Sequence, residues 1–150
     1  MLKKLNYTPE FTPEIRHDWF EGLGWSAQLV EGWETEPLFR DLNTWFLISR
    51  IAILRMEPFQ FYHWHVDQDR KVAINRLLDG FDSLCLFGEA KNEHNMYFSQ
   101  AHYAPNTYYI FNTSIPHCVI NFSRPRFLLS VEFEDATWSD IDSWAEAYGI

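Results

Sequence analysis

Tyr62-His63-Trp64-His65-Val66-Asp67 places two imidazoles and a carboxylate at alternate positions in an aromatic run. Side chains alternate across a strand, so this pattern predicts His63, His65 and Asp67 on one side. Tyr62, Trp64 and Val66 are then expected on the other. His65 and Asp67 become local neighbours able to chelate one metal ion. His63 in place of His65 would sit four residues from the carboxylate, and Asp69 in place of Asp67 falls where the strand is expected to end.

The texture around this stretch is β-rich. Runs at Trp45 to Met56, Phe59 to Val66, Lys71 to Leu78, Ser83 to Phe87, Met96 to Ser99, Thr107 to Asn112, Cys118 to Phe122 and Phe127 to Phe133 carry apolar, β-branched and aromatic residues. Turn residues such as Glu57-Pro58 and Asp79-Gly80 separate them. The segment Glu89 to Asn95 reads as the loop of a hairpin. Eight short strands at this density predict a mainly β fold of jelly-roll type.

The flanks read differently. Thr12-Pro13-Glu14 resembles a helix start, with Ile15, Trp19 and Leu23 at helical spacing and Gly24 as a stop. Trp25 to Glu36 reads as loop, and Pro37 to Asn43 as a second short helix. At the other end Ile141, Trp144 and Tyr148 recur at helical spacing, with Ser139 as the expected cap. The expected organisation is one domain over 1–150: a helical or irregular extension (1–44), a β core (45–133) and a C-terminal helix (137–150).

The chain has 150 residues, 47% of them apolar, which suits one globular domain with a real core. A net charge of −9 argues against nucleic acid as a partner and favours a small molecule or a cationic peptide. Cys85 and Cys118 lie in apolar runs and read as buried thiols rather than a disulfide framework. No apolar run is long enough to span a membrane, and residues 1–6 lack the core of a signal peptide. A cytoplasmic setting with no membrane partner is the expectation; the composition leaves the oligomeric state open.

Two later residues complete a chemical pattern. His117, after Pro116, is the best candidate for a third ligand from another strand. Two imidazoles and one carboxylate can occupy one face of Fe(II), leaving three positions for a co-substrate and O₂. Arg126 opens the run Arg126-Phe127-Leu128-Leu129-Ser130, and its guanidinium could clamp a dicarboxylate such as 2-oxoglutarate in bidentate fashion. Arg124, across Pro125, competes for that role. His17 reads as helix surface and His94 as hairpin loop, while His102 is undecided. Tyr62, Tyr108 and Phe111 are candidate aromatic walls.

The blocks Ile53-Leu54-Arg55-Met56-Glu57-Pro58, His63-Trp64-His65-Val66-Asp67, Asn112-Thr113-Ser114 and Pro116-His117-Cys118-Val119-Ile120-Asn121 resemble the Fe(II)/2-oxoglutarate-dependent oxygenases. Within them the likeness is to the aspartyl/asparaginyl β-hydroxylase-like branch, over roughly residues 45 to 133. The resemblance implies a double-stranded β-helix (cupin-like) fold with His65, Asp67 and His117 as iron ligands. It implies Arg126 as the partner of the far carboxylate of 2-oxoglutarate, and Asn75 as a further polar contact to that co-substrate. It also implies hydroxylation of an amino-acid side chain, free or peptidyl, with succinate and CO₂ as co-products. Leu128 departs from the family's frequent small residue two places after the Arg. The residues also admit a cupin-like metalloenzyme that does not use 2-oxoglutarate, or a non-catalytic jelly-roll binding module.

Overall fold

The computed structural model describes residues 1–22 and 24–150. Two antiparallel sheets face one another. The larger is built from β1 (Leu2–Lys4), β2 (Phe20–Glu21), β3 (Ser26–Leu29), β4 (Ile48–Met56), β6 (Ala73–Asp79), β9 (Tyr109–Phe111) and β11 (Arg126–Phe133), in the order β1-β9-β6-β11-β4-β3-β2. The smaller holds β5 (Phe61–His65), β7 (Leu84–Ala90), β8 (Met96–Gln100) and β10 (His117–Ile120), in the order β5-β10-β7-β8. Strands β4 to β11 correspond to the eight runs read from the sequence and divide evenly between the sheets. This is the mainly β, jelly-roll or cupin-like architecture, and β7 and β8 form the expected hairpin.

Alternation along β11 divides the molecule into two packed regions. Leu129 and Val131 face away from the smaller sheet and join Ile51, Ile53, Ile74 and Ile110 in the main core. Two helices cover that face: α1 (Pro37–Phe46) through Leu38, Phe39 and Leu42, and α2 (Trp138–Tyr148) through Ile141, Trp144 and Ala145. Arg126, Leu128 and Glu132 face the other way, toward the smaller sheet. There a second cluster, Met56, Cys85, Phe87, Ala101, Phe111 and Val119, fills the space between the sheets.

The flanks differ from expectation in several places. Residues from Thr12 onward form no helix; the chain is irregular until β2. Gln28 on β3 explains this, because its amide donates to the Glu14 carbonyl at 2.7 Å and accepts from the Arg16 N–H at 2.7 Å. Those backbone groups are thereby satisfied across the chain instead of within a helical turn. Leu23, the third residue of the expected apolar stripe, lies outside the described residues. The stretch after Trp25 holds β3 and a single 3₁₀ turn, Trp33–Thr35, rather than loop alone. Residues 1–44 thus add three strands to the larger sheet.

The remaining differences are local. Helix α1 begins at Pro37 as expected but continues to Phe46, so Trp45 is helical and not the start of a strand. Thr137, not Ser139, caps α2, and Thr137 and Asp140 form a reciprocal capping box. Cys85 and Cys118 are buried free thiols. Among the described residues no helix is long and apolar enough to cross a membrane.

Candidate metal centre

His65 ends β5, His117 begins β10, and the two strands pair with these residues directly opposite. The register then shifts. Val119 on β10 faces Tyr62 on β5, so two steps on one strand match three on the other. This is a β-bulge with the extra residue on β5. Strict alternation therefore fails here. Tyr62 and His65 both line the space between the sheets, with ring centroids 4.1 Å apart. His63 and Trp64 are exposed, His63 against Phe61 and Trp64 against Phe98. The expectation that Tyr62 lies opposite His65, and that His63 shares its side, is corrected by the bulge.

Asp67 lies just beyond β5, where its N–H donates to the Thr113 carbonyl at 3.1 Å. One carboxylate oxygen, Oδ1, is 3.3 Å from His65 Nε2 and 3.6 Å from His117 Nε2. One ligand atom from each of His65, Asp67 and His117 can be chosen so that all lie within 4.8 Å of one another. The far ring nitrogens are already committed. His65 Nδ1 lies 2.6 Å from the His63 carbonyl and His117 Nδ1 lies 2.8 Å from the Ile115 carbonyl. A carbonyl only accepts, so each Nδ1 carries a proton, and in the neutral ring each Nε2 lone pair points toward the centre; a protonated His65 donates from Nε2 to Asp67 instead. The result is a two-histidine, one-carboxylate triad consistent with Fe(II).

The charge states follow from the surroundings. Burial works to raise the Asp67 carboxyl, but the His65 hydrogen bond and the nearby Arg70 outweigh it and bring the carboxyl down to about 2. Burial disfavours a charged His65, yet the bond to Asp67 leaves it above its ordinary value. His117 is lowered, chiefly by burial. Burial also pushes the Cys85 thiol up to about 11, so it stays protonated.

The triad opens on a cavity of about 420 Å³ between the sheets. Arg126 reaches it from the start of β11 and is only 4% exposed, while Arg124 is exposed at the surface. Arg126 Nε donates to Ser83 Oγ at 3.0 Å, and among the described residues no carboxylate lies within ion-pair distance of its guanidinium. Asn75 lies on the cavity wall on β6, opposite Ser130 of β11, and its Nδ2 reaches the Tyr103 hydroxyl at 3.4 Å. Asn75 Oδ1 is buried and has no hydrogen-bond partner among the described residues.

Not every residue singled out in the sequence reaches the cavity. Phe111 and Leu128 do. Tyr108 does not: it is buried in the main core, 5.2 Å from the Phe39 ring, with its hydroxyl on Glu36. Asp69 is an exposed residue on the rim, and His17, His94 and His102 are exposed. Three residues that sequence reading passed over also line the cavity: Arg70, Tyr103 and Glu132. Arg70 carried a usable signal, a cation three positions after the candidate ligand Asp67. Tyr103 and Glu132 carried none, since an aromatic or a charge in a strand-rich chain is ordinary.

No family model matches the chain, and no curated protein matches it. Solved structures do resemble it. A Pseudomonas putida prolyl-4-hydroxylase superposes with a TM-score of 0.57 at 14% identity, covering 79% of this chain and 78% of that one. A Burkholderia pseudomallei oxidoreductase of the 2OG-Fe(II) oxygenase family gives 0.46 at 19% identity, over 59% of this chain and 45% of that one. KdgF from Halomonas sp. gives 0.45 at 11% identity, over 83% and 93%. Only the first superposition is close enough to bear on the fold, and at that identity it speaks to the fold alone. Fold and triad together fit the Fe(II)/2-oxoglutarate oxygenase and cupin superfamily in general. They select no branch within it, and the narrower likeness to β-hydroxylases rests on the sequence blocks.

Proposed function

We propose that this protein is an Fe(II)- and 2-oxoglutarate-dependent dioxygenase that hydroxylates an amino-acid side chain, free or peptidyl, releasing succinate and CO₂. The observation that carries the reading is Arg126: a buried guanidinium with no acidic partner among the described residues, in the same cavity as the triad. An uncompensated buried charge is costly, so such a site favours an anionic ligand. A metal triad alone would equally suit a cupin that does not use 2-oxoglutarate; the guanidinium is what favours the co-substrate.

In this reading His65, Asp67 and His117 hold the metal, and Arg126 holds the distal carboxylate of 2-oxoglutarate. Asn75 supplies a polar contact with its unpartnered Oδ1 or, flipped, its amide N–H₂. The bound iron, with 2-oxoglutarate and O₂, supplies the oxidant for C–H hydroxylation. The chain's own residues orient and enclose. The His63 and Ile115 carbonyls fix the two imidazole rings. Phe111, Met56, Val119 and Leu128 give the cavity apolar walls that exclude water. Trp25, Tyr62 and Val66 also line it, and Asp69 and Gln68 add exposed polar groups.

The test is succinate formation from 2-oxoglutarate by the purified protein with Fe(II), across a panel of free amino acids and short peptides. Succinate release that requires both iron and 2-oxoglutarate and rises with one substrate class supports the reading. Failure to bind 2-oxoglutarate with the metal bound would instead favour the cupin alternative.

A further inference from the structure

Arg70 joins the triad by hydrogen bonds to the sheet carrying Arg126. It follows β5 in the loop that begins at Asp67, and Thr113 pins both ends of that loop. The Thr113 carbonyl accepts from the Asp67 N–H, and its hydroxyl donates to the Arg70 carbonyl at 2.8 Å. From this anchored position the guanidinium forks. Nε lies 2.5 Å from Asp67 Oδ2, while Nη1 lies 3.0 Å from Ser130 Oγ and 3.0 Å from Glu132 Oε1. Glu132 is held in turn by Arg50 Nη2 at 2.7 Å, its cross-strand neighbour on β4. Asp67, Arg70 and Glu132 are all largely buried, and the charges of the four residues cancel.

The two oxygens of Asp67 are thereby made unequal. Oδ1 faces both histidine Nε2 atoms, and Oδ2 is taken by Arg70. We infer that Arg70 is a positioning residue that restricts Asp67 to a single ligand oxygen, keeping three coordination positions open, and that ties the metal-bearing loop to β11. This rests on the metal reading above. A carboxylate free to rotate can take a metal with both oxygens and would occupy a position that a chelating co-substrate needs. The planar fork suits the task because it grips a carboxylate on one side and a hydroxyl and second carboxylate on the other. A lysine ammonium has the charge but not that fixed geometry.

The experiment uses Mn(II) alone as probe, read by water-proton relaxation and by calorimetry with added 2-oxoglutarate. The variants are Arg70→Ala, Arg70→Lys and the pair Arg70→Ala/Glu132→Gln; the pair keeps the charges of the cluster balanced, Asp67 against Arg50, should the single variant fold poorly. Asp67→Ala is the reference. In Asp67→Ala a lost ligand is replaced by water, so relaxation per bound ion rises. In the Arg70 variants, the pair included, the second oxygen displaces a water and relaxation falls by roughly a third, from about three bound waters to about two. Their 2-oxoglutarate affinity drops ~10–100-fold, the usual cost of losing an outer hydrogen-bond partner of a metal ligand. The opposite signs separate positioning from general damage. Wild-type relaxation and 2-oxoglutarate affinity in the pair variant would overturn the role of Arg70 while leaving the metal site standing. Mn(II) binding that is absent from the wild type, or unchanged in Asp67→Ala, would overturn the metal reading itself.

Discussion

Gly80 lies directly against Arg126: a methyl group built on Gly80 would sit 2.6 Å from Arg126 Cα and 2.9 Å from its Cβ. The turn after β6 therefore sets where β11 begins and where the guanidinium enters the cavity. Gly80 also has φ of +84°, a conformation that costs other residues about 1–2 kcal/mol. Gly80→Ala is expected to lose more than that, because strain and clash add. It should weaken 2-oxoglutarate binding while leaving Mn(II) binding to the triad in place. Thermal melting and calorimetry on the same sample check both halves.

Arg126→Ala should cost about 2–5 kcal/mol of 2-oxoglutarate binding, the range for truncating one partner of a buried charge pair. Arg126→Lys keeps the charge and loses the fork, so its loss should be smaller. Calorimetry with Mn(II) in place of Fe(II) measures both without turnover. Equal affinities across the three proteins would remove Arg126 from the site.

His65→Ala and His117→Ala should each reduce Mn(II) affinity by more than the roughly 10–100-fold that an outer partner costs. The metal-free melting temperature should move little for His65, which is only half-buried beside Tyr62. Electron paramagnetic resonance titration of free Mn(II), set beside circular dichroism melts, separates a lost ligand from a lost fold.

Glu36 carries a structural load far from the cavity. It is fully buried, and its carboxylate accepts from the Tyr7 and Tyr108 hydroxyls and from the N–H groups of Glu10 and Phe11. Glu36→Ala strands these donors and should cost on the order of 3 kcal/mol. Amide exchange should rise first at residues 10 and 11.

At α2 the Thr137 hydroxyl and N–H hold the Asp140 carboxyl below its ordinary 3.8. A depressed carboxyl stabilises the fold above the unfolded value and loses that contribution as pH falls through the folded one. Asp140→Asn should therefore lower the melting temperature at pH 7 and lose that difference toward acid pH below 3.8. Thr137→Ala removes the cap itself, worth about 1 kcal/mol.

The sequence by itself determined the β core and the chemistry of the triad. Apolar and aromatic runs bounded by turn residues specify strands because local pattern and burial agree, and all eight runs from β4 to β11 are strands. His65 and Asp67 were recognisable as a local pair of ligand types, and His117 through the order and spacing of the family-like blocks. Tertiary structure alone decided the rest. Residues 12 to 24 read as a helix because periodicity cannot register that Gln28, on a neighbouring strand, satisfies the Glu14 and Arg16 backbone. Tyr62 joined His65 in the cavity because the register against β10 put a bulge into β5, and a bulge is a property of a strand pair, not of one strand. Of the two arginines flanking Pro125, Arg126 is buried and faces the cavity while Arg124 is exposed, a difference that only the packing of β11 decides. Arg70 gained its partners from Ser130 and Glu132, sixty and sixty-two residues away. Patterns of two to four residues are written in the chain; which distant groups meet is fixed only when the two sheets close on each other.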